Sequence, residues 1–156
     1  MKVLILGASG FIGQVLAKRL VDAGHDVRCA SRGRKPVPDG TPHVALDSRD
    51  VETLGRAVAG MDAVINAVAG DAQSIAEGAR ALTAAARANG TPRIVHLSTM
   101  SVYGRFEGVA NESTPFDPDL GWYAAAKCEA ERIMDQYAGA GGAVVSLRPG
   151  CVYGPG

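Results

Sequence analysis

The 156 residues are 47% hydrophobic and 21% charged, and 16 Lys plus Arg balance 16 Asp plus Glu. These ordinary globular values suit one domain burying roughly 68–70% of its unfolded surface, with no basic run to hold nucleic acid. Three cysteines without a CxxC pair and three scattered histidines argue against a disulfide framework and a zinc site, so no metal and a reduced, cytoplasmic setting are expected.

Residues 3–6 form a four-residue apolar run before Gly7. A secretory core needs about 7–15 such residues, so the run reads as a strand. No later segment approaches the roughly 18 apolar residues that span a bilayer, so a soluble chain without a membrane partner is expected. Ile12, Val15, Leu16 and Leu20 then share one helical face that stops at Ala23-Gly24. Residues 27–30 read as a second strand, 31–42 as a polar loop with Pro36, Pro38 and Gly40, and 44–46 as a third strand. A helix over 49–59 and a strand over 63–67 follow. Residues 72–89 carry Ile75, Ala79, Leu82 and Ala86 on one stripe and stop at Asn89-Gly90. A strand over 94–97 leads to an irregular stretch, 98–121, of a length that is usually functional inside a compact domain. A helix over 122–137 and a strand over 143–147 complete the pattern.

Strands separated by helices demand right-handed crossovers and a parallel sheet covered on both faces. The predicted fold class is therefore α/β, a doubly wound Rossmann sheet of order 3-2-1-4-5-6.

The turn Gly7-Ala8-Ser9-Gly10-Phe11-Ile12-Gly13 lies where the first strand meets the first helix. Free backbone N–H groups and the positive end of a helix dipole would bind a pyrophosphate there. Gly7 allows the turn, Gly10 the approach of a phosphate, and Gly13 close helix–sheet packing. The simpler alternative is a glycine-rich turn with no ligand. At the end of the second strand an NAD site usually carries a carboxylate. Here Ser31 and Arg32 stand there, with Arg34 and Lys35 behind. An Arg fork would hold a 2′-phosphate, so NADP is expected in preference to NAD, although Lys35 reads as a solvated charge. Asp47 could accept from an adenine amino group or cap the next helix, where Asp50 competes with it. Ala67, Val68 and Ala69 end the fourth strand with small side chains that leave room for a flat cofactor.

Tyr123 and Lys127 lie one turn apart on a helix. An ammonium beside a phenol favours the phenolate, which would tune Tyr123 as proton donor and acceptor. A hydroxyl from Thr99 or Ser98 could hold the substrate's oxygen. His96 reads as structural, and Cys29 and Cys128 as small buried groups.

The segments "GASGFIG", "LSTMSVYG", "NESTPFDPD", "WYAAAKCEAE" and "LRPGCVYGPG" together resemble the extended short-chain dehydrogenases/reductases of the NAD-dependent epimerase/dehydratase type. The resemblance implies that residues 1–156 form an NAD(P)-binding Rossmann domain. Thr99, Tyr123 and Lys127 would be the catalytic residues, with Lys127 also holding the nicotinamide ribose and Pro149 and Val152 passing the nicotinamide. It implies hydride transfer to or from a carbinol or carbonyl carbon of a small-molecule substrate. Helices 72–89 and 122–137 would form a homodimer face, and Glu131 falls on a recurrent position that braces the helix. Cys151 stands where many sugar-nucleotide members carry Asn, which points away from a UDP- or dTDP-sugar. Such proteins continue past "YGPG" with a seventh strand and a smaller substrate region, so the expectation is a chain that binds NADPH and turns over slowly or not at all alone. A sensor or scaffold that binds NADP(H) without chemistry is the alternative.

Overall fold

A computed structural model describes residues 1–33, 36–90, 92–105 and 107–154. Six strands, β1 (Lys2–Leu6), β2 (Asp26–Ser31), β3 (His43–Ala45), β4 (Ala63–Asn66), β5 (Arg93–Leu97) and β6 (Val144–Leu147), form one sheet in the order 3-2-1-4-5-6. Every pairing is parallel, with Leu4 opposite Arg28 and Val64, and His96 opposite Asn66 and Ser146. The helices are α1 (Phe11–Asp22), α2 (Val51–Val58), α3 (Ala72–Ala88) and α4 (Trp122–Gly139).

Alternation along the strands sorts the core into two layers. Leu4, Leu6, Val64 and Ile94 face α2, α3 and α4, joining Leu54, Leu82, Met134 and Tyr137. Val3, Ile5, Val27 and Cys29 face the other way, onto Ala17, Leu16 and Leu20 of α1. The expected cover on both faces is therefore complete only over part of the sheet. A helix about 10–12 Å across shields little more than two strands spaced about 4.8 Å apart, and α1 sits over β1 and β2. Among the described residues no other helix joins that layer, and Val145 and Leu147 of β6 remain 50% and 48% exposed.

Local chemistry sets the boundaries that differ from expectation. The second helix starts at Val51 because Asp50 is its cap, accepting from the Glu52 and Thr53 N–H groups at 3.1 Å. Asp71 caps α3 in the same way, accepting from Ser74 N at 2.8 Å. The stretch 98–121 contains two 3₁₀ turns, Met100–Tyr103 and Pro118–Leu120. Val102, Tyr103 and Cys128 form a small separate core under it, with Phe116 packed alongside. Among the described residues no helix is long and apolar enough to cross a membrane, and no group of acidic, His or Cys side chains could hold a metal ion.

Candidate active site

The glycine turn is built by close approach. Gly7 and Ala8 N–H both donate to the Ala30 carbonyl, at 2.9 and 3.2 Å, which pins the turn to the end of β2. Gly7 has φ +79°, and a Cβ there would lie 2.6 Å from the Ala67 carbonyl oxygen. A Cβ on Gly13 would strike the Gly7 carbonyl and come within 2.8 Å of Ala8 Cα. Only glycine lets α1 start this close to the strand. Gly10, the cap of α1, offers no side-chain bond to the first turn, whereas α2 and α3 have aspartate caps. The first-turn N–H groups of α1 are thus left for a ligand, and the positive end of the dipole favours an anion.

This turn forms one wall of a cleft of about 520 Å³, in the size range of cofactor sites. The cleft brings together Gly7, Ser9, Gly10, Phe11, Ile12, Gly13, Ser31, Arg32, Asp47, Ala67, Val68, Ala69 and Val152, all expected from the sequence. Sequence reasoning missed Leu6, Ala30, Leu46, Ser48 and Ser74, which also line it. The first three lie at the carboxyl ends of their strands, where open parallel sheets place ligands, and that position was the available signal.

At the outer end of the cleft, Ser31 Oγ lies 2.9 Å from His43 Nε2 and accepts from the Gly33 N–H at 3.4 Å. Arg32 lines the cleft beside it, and Arg34 and Lys35 lie outside the described residues. Asp47 is not the helix cap. Its carboxylate accepts from Arg49 Nε at 3.0 Å and Nη2 at 2.7 Å, and these bonds hold its pKa down at about 2. Arg49 is a partner that no local pattern singles out.

Beside the cleft, Lys127 is only 2% exposed. Its Nζ donates to the Leu97 carbonyl at 2.7 Å and the Val68 carbonyl at 3.3 Å, joining α4 to the ends of β5 and β4 beside the cleft. Burial lowers its pKa to about 8, against the opposing pull of Glu131. The ammonium stands 6.0 Å from the centre of the Tyr123 ring. Tyr123 is half-buried, and burial pushes its pKa up rather than down. In the protein alone the lysine's hydrogen bonds go to strand carbonyls. Thr99 follows β5 with its hydroxyl engaged: it accepts from Ser101 N and donates to Ser101 Oγ, both at 3.2 Å. The Pro149 carbonyl accepts from Met100 N at 3.0 Å, and Pro149, Thr99, Tyr123 and Lys127 do not themselves line the cleft.

Two buried groups support this end. Asn66 approaches His96 Nδ1 at 3.2 Å and accepts from Val68 N, steadying the backbone whose carbonyl meets Lys127. Burial, reinforced by the Lys127 charge, lowers the His96 pKa to about 4 and keeps the ring neutral, as befits a structural residue. Cys29 and Cys128 are buried as expected, while Cys151 is exposed.

A profile of the NAD dependent epimerase/dehydratase family matches residues 3–156. The chain belongs to that family. A 2-alkyl-3-oxoalkanoate reductase of Stenotrophomonas maltophilia is 37% identical over all of this chain and 52% of its own length. A UDP-glucose 4-epimerase of Streptomyces lividans is 30% identical over 90% of this chain and 49% of its own. Among solved structures, the Thermus thermophilus UDP-glucose 4-epimerase complex with NAD superposes with a TM-score of 0.86. It is 29% identical over 95% of this chain and 54% of that one. The chain thus spans about half the length of the curated relatives it matches. Members of the epimerase/dehydratase family named here are reductases and epimerases, and this chain carries the NAD(P)-binding Rossmann fold they share.

Proposed function

We propose that the protein is the cofactor-binding and proton-transferring part of an NADP-dependent oxidoreductase or epimerase acting at a carbinol or carbonyl carbon. The observation that carries the cofactor choice is the charge at the end of β2. Ser31 and Arg32 line the cleft where a carboxylate would repel a 2′-phosphate, and the nearby Asp47 is already neutralised by Arg49. The pyrophosphate would lie on the turn from Gly7 to Gly13, whose missing side chains and uncapped helix suit it. Ala67, Val68 and Ala69 would flank the ring that follows. The bound cofactor would supply a hydride donor or acceptor.

Tyr123 would exchange a proton with the substrate oxygen. Lys127, fixed by two carbonyls, would contribute the positive charge that favours the phenolate. Thr99 would turn its hydroxyl from Ser101 to the same oxygen. A small-molecule substrate, a cytoplasmic setting and a homodimer through the outer faces of α3 and α4 belong to the same proposal, and sedimentation velocity decides the last.

The test is a fluorescence titration with NADPH and NADH. Wild type should prefer NADPH, and Arg32→Ala should lose about tenfold or more of NADPH affinity while leaving NADH unchanged, a loss typical of a charge-assisted hydrogen bond. Equal affinity of the wild type for both cofactors removes the case for NADP. With a carbonyl substrate in hand, Tyr123→Phe should lower turnover by about 10²–10⁴-fold with little change in cofactor affinity.

A further inference from the structure

Glu131 lies one helical turn beyond Lys127, has no solvent exposure, and is the anion that a buried lysine on this face would ordinarily pair with. It does not take that role. Both its oxygens are held by Arg148, which follows β6: Nε donates to Oε1 at 2.8 Å and Nη2 to Oε2 at 2.7 Å. Arg148 is itself positioned, because Nη1 donates to the Tyr103 hydroxyl at 2.7 Å. Its guanidinium also lies 5.2 Å from the Tyr103 ring centre and 5.0 Å from that of Phe116. Lys127 meanwhile directs its ammonium to the carbonyls of Val68 and Leu97.

We propose that Arg148 is a positioning residue: by occupying both oxygens of Glu131 it keeps that anion from capturing Lys127, so that the lysine's charge stays beside the cleft and available to Tyr123. The inference rests on the proposed proton-transfer role of Tyr123 and Lys127. A bidentate fork satisfies a carboxylate far better than a single ammonium, and here it is locked by the two rings. The other groups facing this cluster do not change the balance. His96 of β5 is kept neutral by burial. Ser98 lies toward Glu131 without closing a well-formed hydrogen bond. Cys128, on α4, is held protonated by burial, and Tyr103 bonds Arg148. Asp135, also on α4, adds an exposed carboxyl whose pKa burial raises, with Glu131 adding to the rise and Arg148 opposing it. Removing Arg148 would leave Glu131 a buried anion whose nearest buried cation is Lys127. The lysine would then be drawn up its own helix, away from the strand carbonyls.

The experiment reads Lys127 directly. The sequence has four lysines, so a spectrum of the protein labelled at the lysine ε-carbon resolves one buried resonance, assigned by its absence in Lys127→Met. Its titration midpoint, about 8 in the wild type, should rise in Arg148→Met, with about tenfold or more higher proton affinity. Glu131→Gln should move it about tenfold the other way, because the anion that pulls it up is removed. The double variant Glu131→Gln/Arg148→Met removes both charges together and should return within about threefold of wild type. If Arg148→Met does not fold, the fall in Glu131→Gln and the return in the double variant carry the test. The proposal is overturned if Glu131→Gln fails to lower the midpoint, if the double variant stays displaced, or if a folded Arg148→Met titrates like wild type. A brace too far from Lys127 to act on its charge would not give shifts of opposite sign that cancel. Because no turnover is measured, the titration can succeed while Tyr123→Phe keeps full activity, which would sink the catalytic reading alone.

Discussion

The glycine turn and the Lys127 end of the candidate site are built by opposite means. The glycine turn works through atoms that are absent: no Cβ at Gly7 or Gly13, no side-chain cap on α1, and backbone groups pinned to β2. The Lys127 end works through charges that are present and buried, an ammonium, a carboxylate and a guanidinium held by hydrogen bonds that leave little freedom. A site made of backbone and space is sensitive to volume and indifferent to pH. A site made of buried charges tolerates small changes of volume and is governed by protonation.

Substitutions can break that contrast, and the largest effect is expected at the turn. Gly13→Val places a side chain against the backbone of Gly7 and Ala8, which cannot yield without moving α1. Chemical denaturation should show a loss of about 3 kcal/mol or more, at every pH, together with loss of dinucleotide binding. A variant that binds NADPH normally would show that the turn is looser than its contacts indicate.

The charged end should respond to pH instead. The Lys127 pKa, about 8 when folded, lies below the ordinary 10.5, so folding disfavours its ammonium. That cost is full below pH 8 and is relieved as the pH rises to 10.5, so stability contributed at this site rises across that window. Relative to Lys127→Met, the wild type should gain about 3 kcal/mol between those pH values, at roughly 1.4 kcal/mol per pH unit. A difference between the two proteins that stays flat with pH would contradict the burial of a charged lysine.

The smallest effects separate two neighbouring carboxylates. Asp50→Ala removes a helix cap and should cost about 1 kcal/mol in thermal unfolding without changing cofactor affinity. Asp47→Ala breaks a partly exposed pair with Arg49 and one bond from the Arg49 N–H, so its stability loss should stay under about 1 kcal/mol while cofactor affinity changes. If the two effects were exchanged, the assignment of cap and cleft residue would be reversed.

Much of this was legible in the chain itself. Apolar runs at strand spacing, helix stops at Gly24 and Asn89-Gly90, and the three glycines after the first strand specify the order of elements and one wall of the cleft, because they act through local geometry. The pair Tyr123 and Lys127 was legible for the same reason, since one helical turn joins them. Other features depend on how side chains and elements come to rest. Which of Asp47 and Asp50 caps α2 shows only in the fold, where Asp50 accepts from the first-turn N–H groups and Asp47 pairs with Arg49. The uneven cover of the sheet followed from where α1 settles, and the raised pKa of Tyr123 from its burial. The sequence by itself determined the fold class and the positions of the glycines and the Tyr–Lys pair. Only the tertiary structure decided which charges meet, because Arg148, Glu131, Tyr103 and His96 come together from separate elements whose packing no local pattern encodes.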